Sequence, residues 1–271
     1  MCRRYAELWN SITLNHITGG SKGTDMKTTL RRVLIGAFWI GVWWLIAVMV
    51  GLPKLLPGPL ETGEALFRLA GTEAFWRSVG MTLLRVAMGY LCAVAAGTLL
   101  AVGCYRLKGL DMLLSPLRTV IKATPVSSFI LLVWLWLKRG NVPVFISFLM
   151  VLPIIWTATQ EALGAVDGDL LEMARMYRFS RWKKVKYVYA PSVKSAFVAA
   201  CMTGLGFAWK SGIAAEVIAL TPDSVGKHLS DAKNYLEYPD LFAWTVTVIL
   251  LSMALEAGLK KAIRRGKGER K

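Results

Sequence analysis

The sequence is short of charge. Of its 271 residues, 18% are Asp, Glu, Lys or Arg, against 55% that are hydrophobic. A soluble domain of this size carries nearer a quarter charged residues to cover its core, so a soluble globular fold is excluded. No Gly-x4-Gly-Lys-Ser/Thr segment occurs, which removes the usual loop for cradling nucleotide phosphates. The four cysteines, Cys2, Cys92, Cys104 and Cys201, form no Cys-x-x-Cys pair. They suit neither a zinc site nor a disulfide framework, and three of them fall in apolar runs where a buried small hydrophobe is expected. Histidine occurs twice, as His16 and His228, both in polar segments where solvation is expected. No acid–base pair or metal spacing appears, so the chain is expected to bind no cofactor or metal and to perform no catalysis.

What is present is a series of long apolar runs. Residues 33–52 and 86–105 are uncharged, the latter with a helix expected to begin near Ser78. Residues 123–137 are a weaker run containing Pro125; starting it at Leu117 lengthens it, with Lys122 snorkelling to the surface. Residues 142–159, with Pro153 as an expected kink, 195–220 and 241–259 complete the set. Backbone amides cannot go unpaired in lipid, so runs of this length predict an all-α polytopic membrane protein of six helices. Pro53, Pro57 and Pro59 end the first run, and a short amphipathic segment follows.

Net charge is +16, but the cations are not spread evenly. Residues 1–32, 106–122, 163–194 and 260–271 hold 24 of the 33 Lys and Arg, and the alternate connections hold 7. Cytoplasmic loops of membrane proteins carry such an excess, so both termini are expected inside, in a bacterial cytoplasmic membrane. The same distribution excludes nucleic acid as the partner and favours anionic lipid. Residues 1–25 are polar and lack an apolar core, so they are no signal peptide. Met26 opens the basic flank of the first run, and the preceding 25 residues read as a tail that need not be translated.

The connection between the fourth and fifth runs is the most informative. Within 163–191, Asp169 and Glu172 have capping-box spacing, and Leu170, Ala174 and Tyr177 fall on one helical face. Ser180 can cap a second short helix, which Pro191 is expected to stop. An apolar stripe among cations needs a lipid interface or a partner groove.

This segment resembles the cytoplasmic loop of binding-protein-dependent ABC importer permeases, which reads Glu-Ala-Ala, three residues, Gly, nine residues, Ile-x-Leu-Pro. Here Glu172-Met173-Ala174, Arg178 and Val188-Tyr189-Ala190-Pro191 stand at those positions. Met173, Arg178 and Ala190 depart from the pattern, and an arginine where glycine belongs must make a left-handed bend at a steric cost or make another bend. Leu55-Leu56-Pro57-Gly58-Pro59, Ser78 with Arg85, Ala123-Thr124-Pro125, and Trp209 with Ala214-Ala215-Glu216 resemble the nitrate, sulfonate, taurine and bicarbonate branch. The resemblance implies a type I importer permease fold over residues 26–271 and a dimer of permeases. It implies two separate ABC ATPase subunits that consume the ATP, and an extracytoplasmic solute-binding protein. It makes 163–191 a coupling segment, with Glu172 contacting the ATPase and Ala174, Arg178 and Pro191 belonging to the same motif. The alternative is a secondary transporter driven by an ion gradient, which would favour midplane carboxylates and paired broken helices.

Glu256 lies near the end of the last run, and Arg85, Lys210 and Glu216 lie within the expected spans. A charge at mid-bilayer costs roughly 2.5–3.5 kcal/mol on insertion scales, so each needs a reason. Arg85 begins a stripe with Gly89, Ala93, Gly97 and Ala101; Glu216 ends one with Ala200, Gly204, Ala208 and Gly212. Small residues every four positions let helices approach closely, which places the second and fifth runs in the bundle interior. Two readings stand. Arg85, Lys210 and Glu216 line a translocation pathway, whose cations suit an anionic solute, or Glu216 forms a structural salt bridge with Arg85 or Lys210. Of the 11 tryptophans, most lie near helix ends, as an interfacial belt requires.

Overall fold

The computed structural model describes residues 22–51 and 55–268, with side chains for 34–51 and 55–263. Every helix and turn among them is helical or irregular, and no strand occurs among the described residues. The chain divides into two compact units, residues 1–61 and residues 62–271. Residues 1–21 of the expected tail lie outside the described residues, as do Cys2 and His16; residues 22–25 belong to the first helix.

In the first unit, α1 spans Lys22–Val50. Its apolar part, Leu34–Val50, is shorter than the other spans. Gly51 follows it with φ 63°, a left-handed residue that glycine adopts without strain. The amphipathic α2, Pro59–Ala70, begins at Pro59, whose fixed φ suits a first helical turn.

The second unit carries the longer spans. Helix α3 covers Glu73–Arg106, opening five residues before Ser78 because Thr72 accepts a hydrogen bond from Phe75 N–H at 3.3 Å. The third apolar run is not one helix. It is broken into α4 (Lys108–Ala123) and α5 (Val126–Trp136), bent by 107°. Pro125 sits at the break; its ring disfavours helical backbone at Thr124 and removes one amide from the ladder. Helix α6 (Val142–Gly164) runs through Pro153 without interruption.

The connection that follows contains α7 (Gly168–Met176) and α8 (Arg181–Lys184). A π-helical turn, Val185–Tyr189, then leads directly into α9 (Ala190–Ala219). Pro191 therefore opens the fifth span instead of stopping the helix before it. The wider π turn accommodates a proline that has no N–H and would clash with the preceding turn. A polar helix, α10 (Val225–Asn234), separates α9 from α11 (Tyr238–Gly268).

Among the described residues, four helices are long and apolar enough to cross a membrane, and the bent α4–α5 pair makes a fifth if it counts as one crossing. Helix α6 is the most buried of the four. It lies between α3 and α9, so the two small-residue stripes face a common neighbour. A Cβ added at Gly89 would stand 2.3 Å from the carbonyl oxygen of Val144 on α6. Ser147 Oγ on α6 donates to the carbonyl of Ala208 at 3.1 Å, and Tyr90 on α3 donates to that of Cys201 at 3.0 Å. Trp209 is interior, with its indole N–H bonded to Val248 O of α11 at 3.2 Å. Cys104 and Cys201 are buried as expected, but Cys92 is exposed on the outer face of α3.

Candidate functional site

Two regions at opposite ends of α9 carry the residues singled out by sequence. The first is the α7–α8 segment. Asp167, not Asp169, caps α7, accepting from Asp169 N–H at 3.0 Å. Both aspartates are competent caps, and the helix starts at the earlier one. Glu172 is exposed on the body of α7. Ala174 is fully buried, so the expected stripe of Leu170, Ala174 and Tyr177 is divided between the inside and the outside. The outward surface is instead an open depression lined by Asp169, Glu172, Met173, Met176 and Tyr177. Met173 and Met176 are 41% and 84% exposed, an unusual position for thioethers unless a partner covers them.

Helix α7 ends in a Schellman motif. Phe179 N–H donates to Ala174 O at 2.9 Å, and Arg178 N–H to Arg175 O at 3.0 Å. Arg178 occupies the left-handed position with φ 52°. It makes the bend that glycine would make, at a cost of about 1 kcal/mol. Ser180 caps α8 as expected, accepting from Lys183 N–H at 3.4 Å. Pro191 is exposed at the first turn of α9.

The second region is a buried polar knot. Arg85 is 8% exposed and Glu216 is fully buried, and Arg85 Nη1 faces Glu216 Oε1 at 3.7 Å. Thr82 Oγ1 donates to Glu216 Oε2 at 2.9 Å and accepts from Val225 N–H at 3.1 Å. Gly226 N–H donates to the same Oε2 at 3.2 Å. The Arg85 guanidinium donates to the carbonyls of Asp223 and Pro222, both at 3.0 Å. The knot thus ties α3 and the end of α9 to the turn before α10. Leu220 and Asp223 hold left-handed backbone in that turn, with φ 50° and 47°. Gly226 is required for the close approach, since a Cβ there would lie 2.3 Å from that of Glu216.

Lys210 is not part of this knot. It is exposed on the other face of α9. His228 is half-buried, not freely solvated: it stacks on Trp244, with ring centroids 4.7 Å apart, and lies 3.0 Å from Ser78 Oγ. Burial pushes its pKa below the usual histidine value, opposed by Asp231 and Asp223 and assisted by Lys227. Sequence reading missed this contact because α10 looked like an ordinary polar connection.

The binding-protein-dependent transport system inner membrane component family matches residues 93–259. The chain belongs to that family. It is an importer permease of the ATP-binding cassette class, a multi-pass inner membrane component, which also sets aside the ion-gradient alternative. It is 22% identical to the taurine transport system permease of Escherichia coli K12 over 84% of this chain and 86% of that one. It is 25% identical to the nitrate import permease of Synechococcus elongatus over 79% of this chain and 80% of that one. Its fold is similar to that of a chain from a bacterial ABC transporter that imports the acidic polysaccharide alginate. There the TM-score is 0.62 at 15% identity, covering 90% of this permease and 98% of that chain.

Proposed function

We propose that two copies of this permease form a pathway for a small anionic solute, driven by two separate ATPase subunits and fed by an extracytoplasmic binding protein. ATP is then consumed by the partner, and this chain binds none. The excess of Lys and Arg in alternate connections supports placing both termini, and α7, in the cytoplasm. Helix α1 would be a sixth span, because 17 apolar residues reach the lower end of the length that crosses a bilayer. An anionic solute group is supported by nitrate and by the sulfonate of taurine, which name the similar permeases.

The observation that carries the reading is the outward face of α7, with Glu172 between exposed methionines. A helix closed at both ends by its own caps does not need Glu172 for folding, so that carboxylate is free to meet an ATPase. Ala174 and Arg178 act behind it, setting the helix against the permease body and ending it in a fixed direction. Pro191 joins the segment rigidly to α9, which would carry ATPase closure into the membrane. The test is Glu172→Ala in the reconstituted complex. ATP-driven uptake should fall at least tenfold while the permease remains folded; unchanged uptake would overturn the reading.

A further inference from the structure

Lys210 lies deep inside the fifth span, exposed on α9, and has no ion-pair or side-chain hydrogen-bond partner among the described residues. It lies ten residues inside Leu220, about 15 Å along α9, which is half the roughly 30 Å of hydrocarbon. It lies twenty residues from Ala190, about 30 Å from the other end. A four-carbon stem cannot snorkel to either surface over those distances. A lysine left facing lipid there would cost roughly 2.5–3.5 kcal/mol.

The carboxylates on the neighbouring helices of this chain do not stand level with it. Trp209 bonds to Val248 O, so Lys210 is level with Val248 of α11. Glu256 lies eight residues beyond that level, about 12 Å away, and pairs with Lys260 at 3.4 Å. Asp240 lies eight residues in the other direction and pairs with Arg68. Glu161 is close to the far end of α6. Glu216 is the carboxylate nearest in sequence, and it is fully buried and already bonded to Thr82 and Gly226 and facing Arg85. Ala199, Thr203, Phe207 and Lys210 are exposed, and Lys210 is turned about 120° round α9 and set about 9 Å along it from Glu216, so it does not reach that carboxylate. No exposed carboxylate stands at the depth of Lys210 on the described helices.

We infer that Lys210 is the anion-contacting residue of the translocation pathway, taking a small monovalent oxyanion such as a sulfonate or nitrate. Arg85 and Glu216 are excluded from that role because each is occupied by the other and by the α9–α10 turn. The mobile counter-ion that Lys210 requires is then the solute, with water in its absence. This rests on the permease reading above and names the group that selects charge within it.

The experiment uses the full complex of permease, ATPase and binding protein in proteoliposomes. First, intact complex is treated with the membrane-impermeant amine reagent sulfo-N-hydroxysuccinimidyl acetate, and the Lys210 peptide is read by mass spectrometry. Acetylation of Lys210 is expected, and its extent should change between nucleotide-free and ATP-trapped complex. Lys210 left unmodified in both states, while Lys227 is modified, overturns the proposal. Second, uptake of isotope-labelled taurine, methanesulfonate and nitrate is compared in wild type, Lys210→Gln and Lys210→Arg. Whichever of the three the wild type carries should fall at least tenfold with Gln and stay within about threefold with Arg. Equal uptake with Gln, or wild-type uptake of none of the three, overturns the anion assignment. Failure of the permease reading looks different: no ATPase would associate with wild type at all.

Discussion

The two ends of α9 solve opposite problems. At one end, Arg85, Glu216, Thr82 and Gly226 turn their polar groups toward one another and away from any outside partner. At the other, α7 satisfies its own backbone and then exposes Asp169, Glu172, Met173, Met176 and Tyr177. The difference separates a charge retained for architecture from a charge retained for contact. A buried ion pair holds elements of one chain together. An exposed carboxylate beside exposed thioethers on a well-capped helix waits for another chain. Lys210 fits neither class, being exposed yet unpaired in the membrane.

The comparison breaks most sharply at the knot. Glu216→Ala leaves the Arg85 guanidinium buried without its counter-charge, a loss of about 3–5 kcal/mol. Thermal unfolding of the detergent-solubilised permease should show it, whereas Glu172→Ala should leave the same transition unmoved. Gly226→Ala comes next, since its Cβ would overlap Glu216 Cβ; overpacking of this kind costs about 1–3 kcal/mol and is read the same way.

A smaller effect of opposite sign is expected at α7. Arg178→Gly removes a side chain from a left-handed position and should stabilise the end of α7 by about 1 kcal/mol, seen as slower amide exchange at Phe179. The smallest effect is at His228. Its folded pKa is lowered, so the unfolded state binds more protons below the ordinary value near 6.5. The stabilisation is full above that value and is lost as pH falls toward the lowered one. Trp244 fluorescence should change over that window in wild type and stay flat in His228→Gln, since the stacked ring then carries no titrating group.

Much of this was legible in the residues. Small residues at every fourth position announced the close α3–α6–α9 contacts, and Ser180 announced its cap. The Glu216 partner was left open between Arg85 and Lys210, because sequence spacing on α9 does not say which face meets α3. Other features depended on backbone choices the sequence leaves balanced. Asp167 and Asp169 are two residues apart and equally able to cap. Pro191 can end a helix or begin one, and the π turn before it decides. Pro125 permits either a kink or a break, and here the axis turns by 107°. His228 looked solvated because its partners, Ser78 and Trp244, come from distant parts of the chain.

The central claim is that the outward face of α7 is gripped by a separate ATPase. The direct measurement is the amount of ATPase subunit that co-purifies with the permease carrying Met173→Asp and Met176→Asp, two exposed positions that the fold does not use. Near-complete loss of the ATPase from a permease that still unfolds at the wild-type temperature is the predicted result. Undiminished association would contradict it.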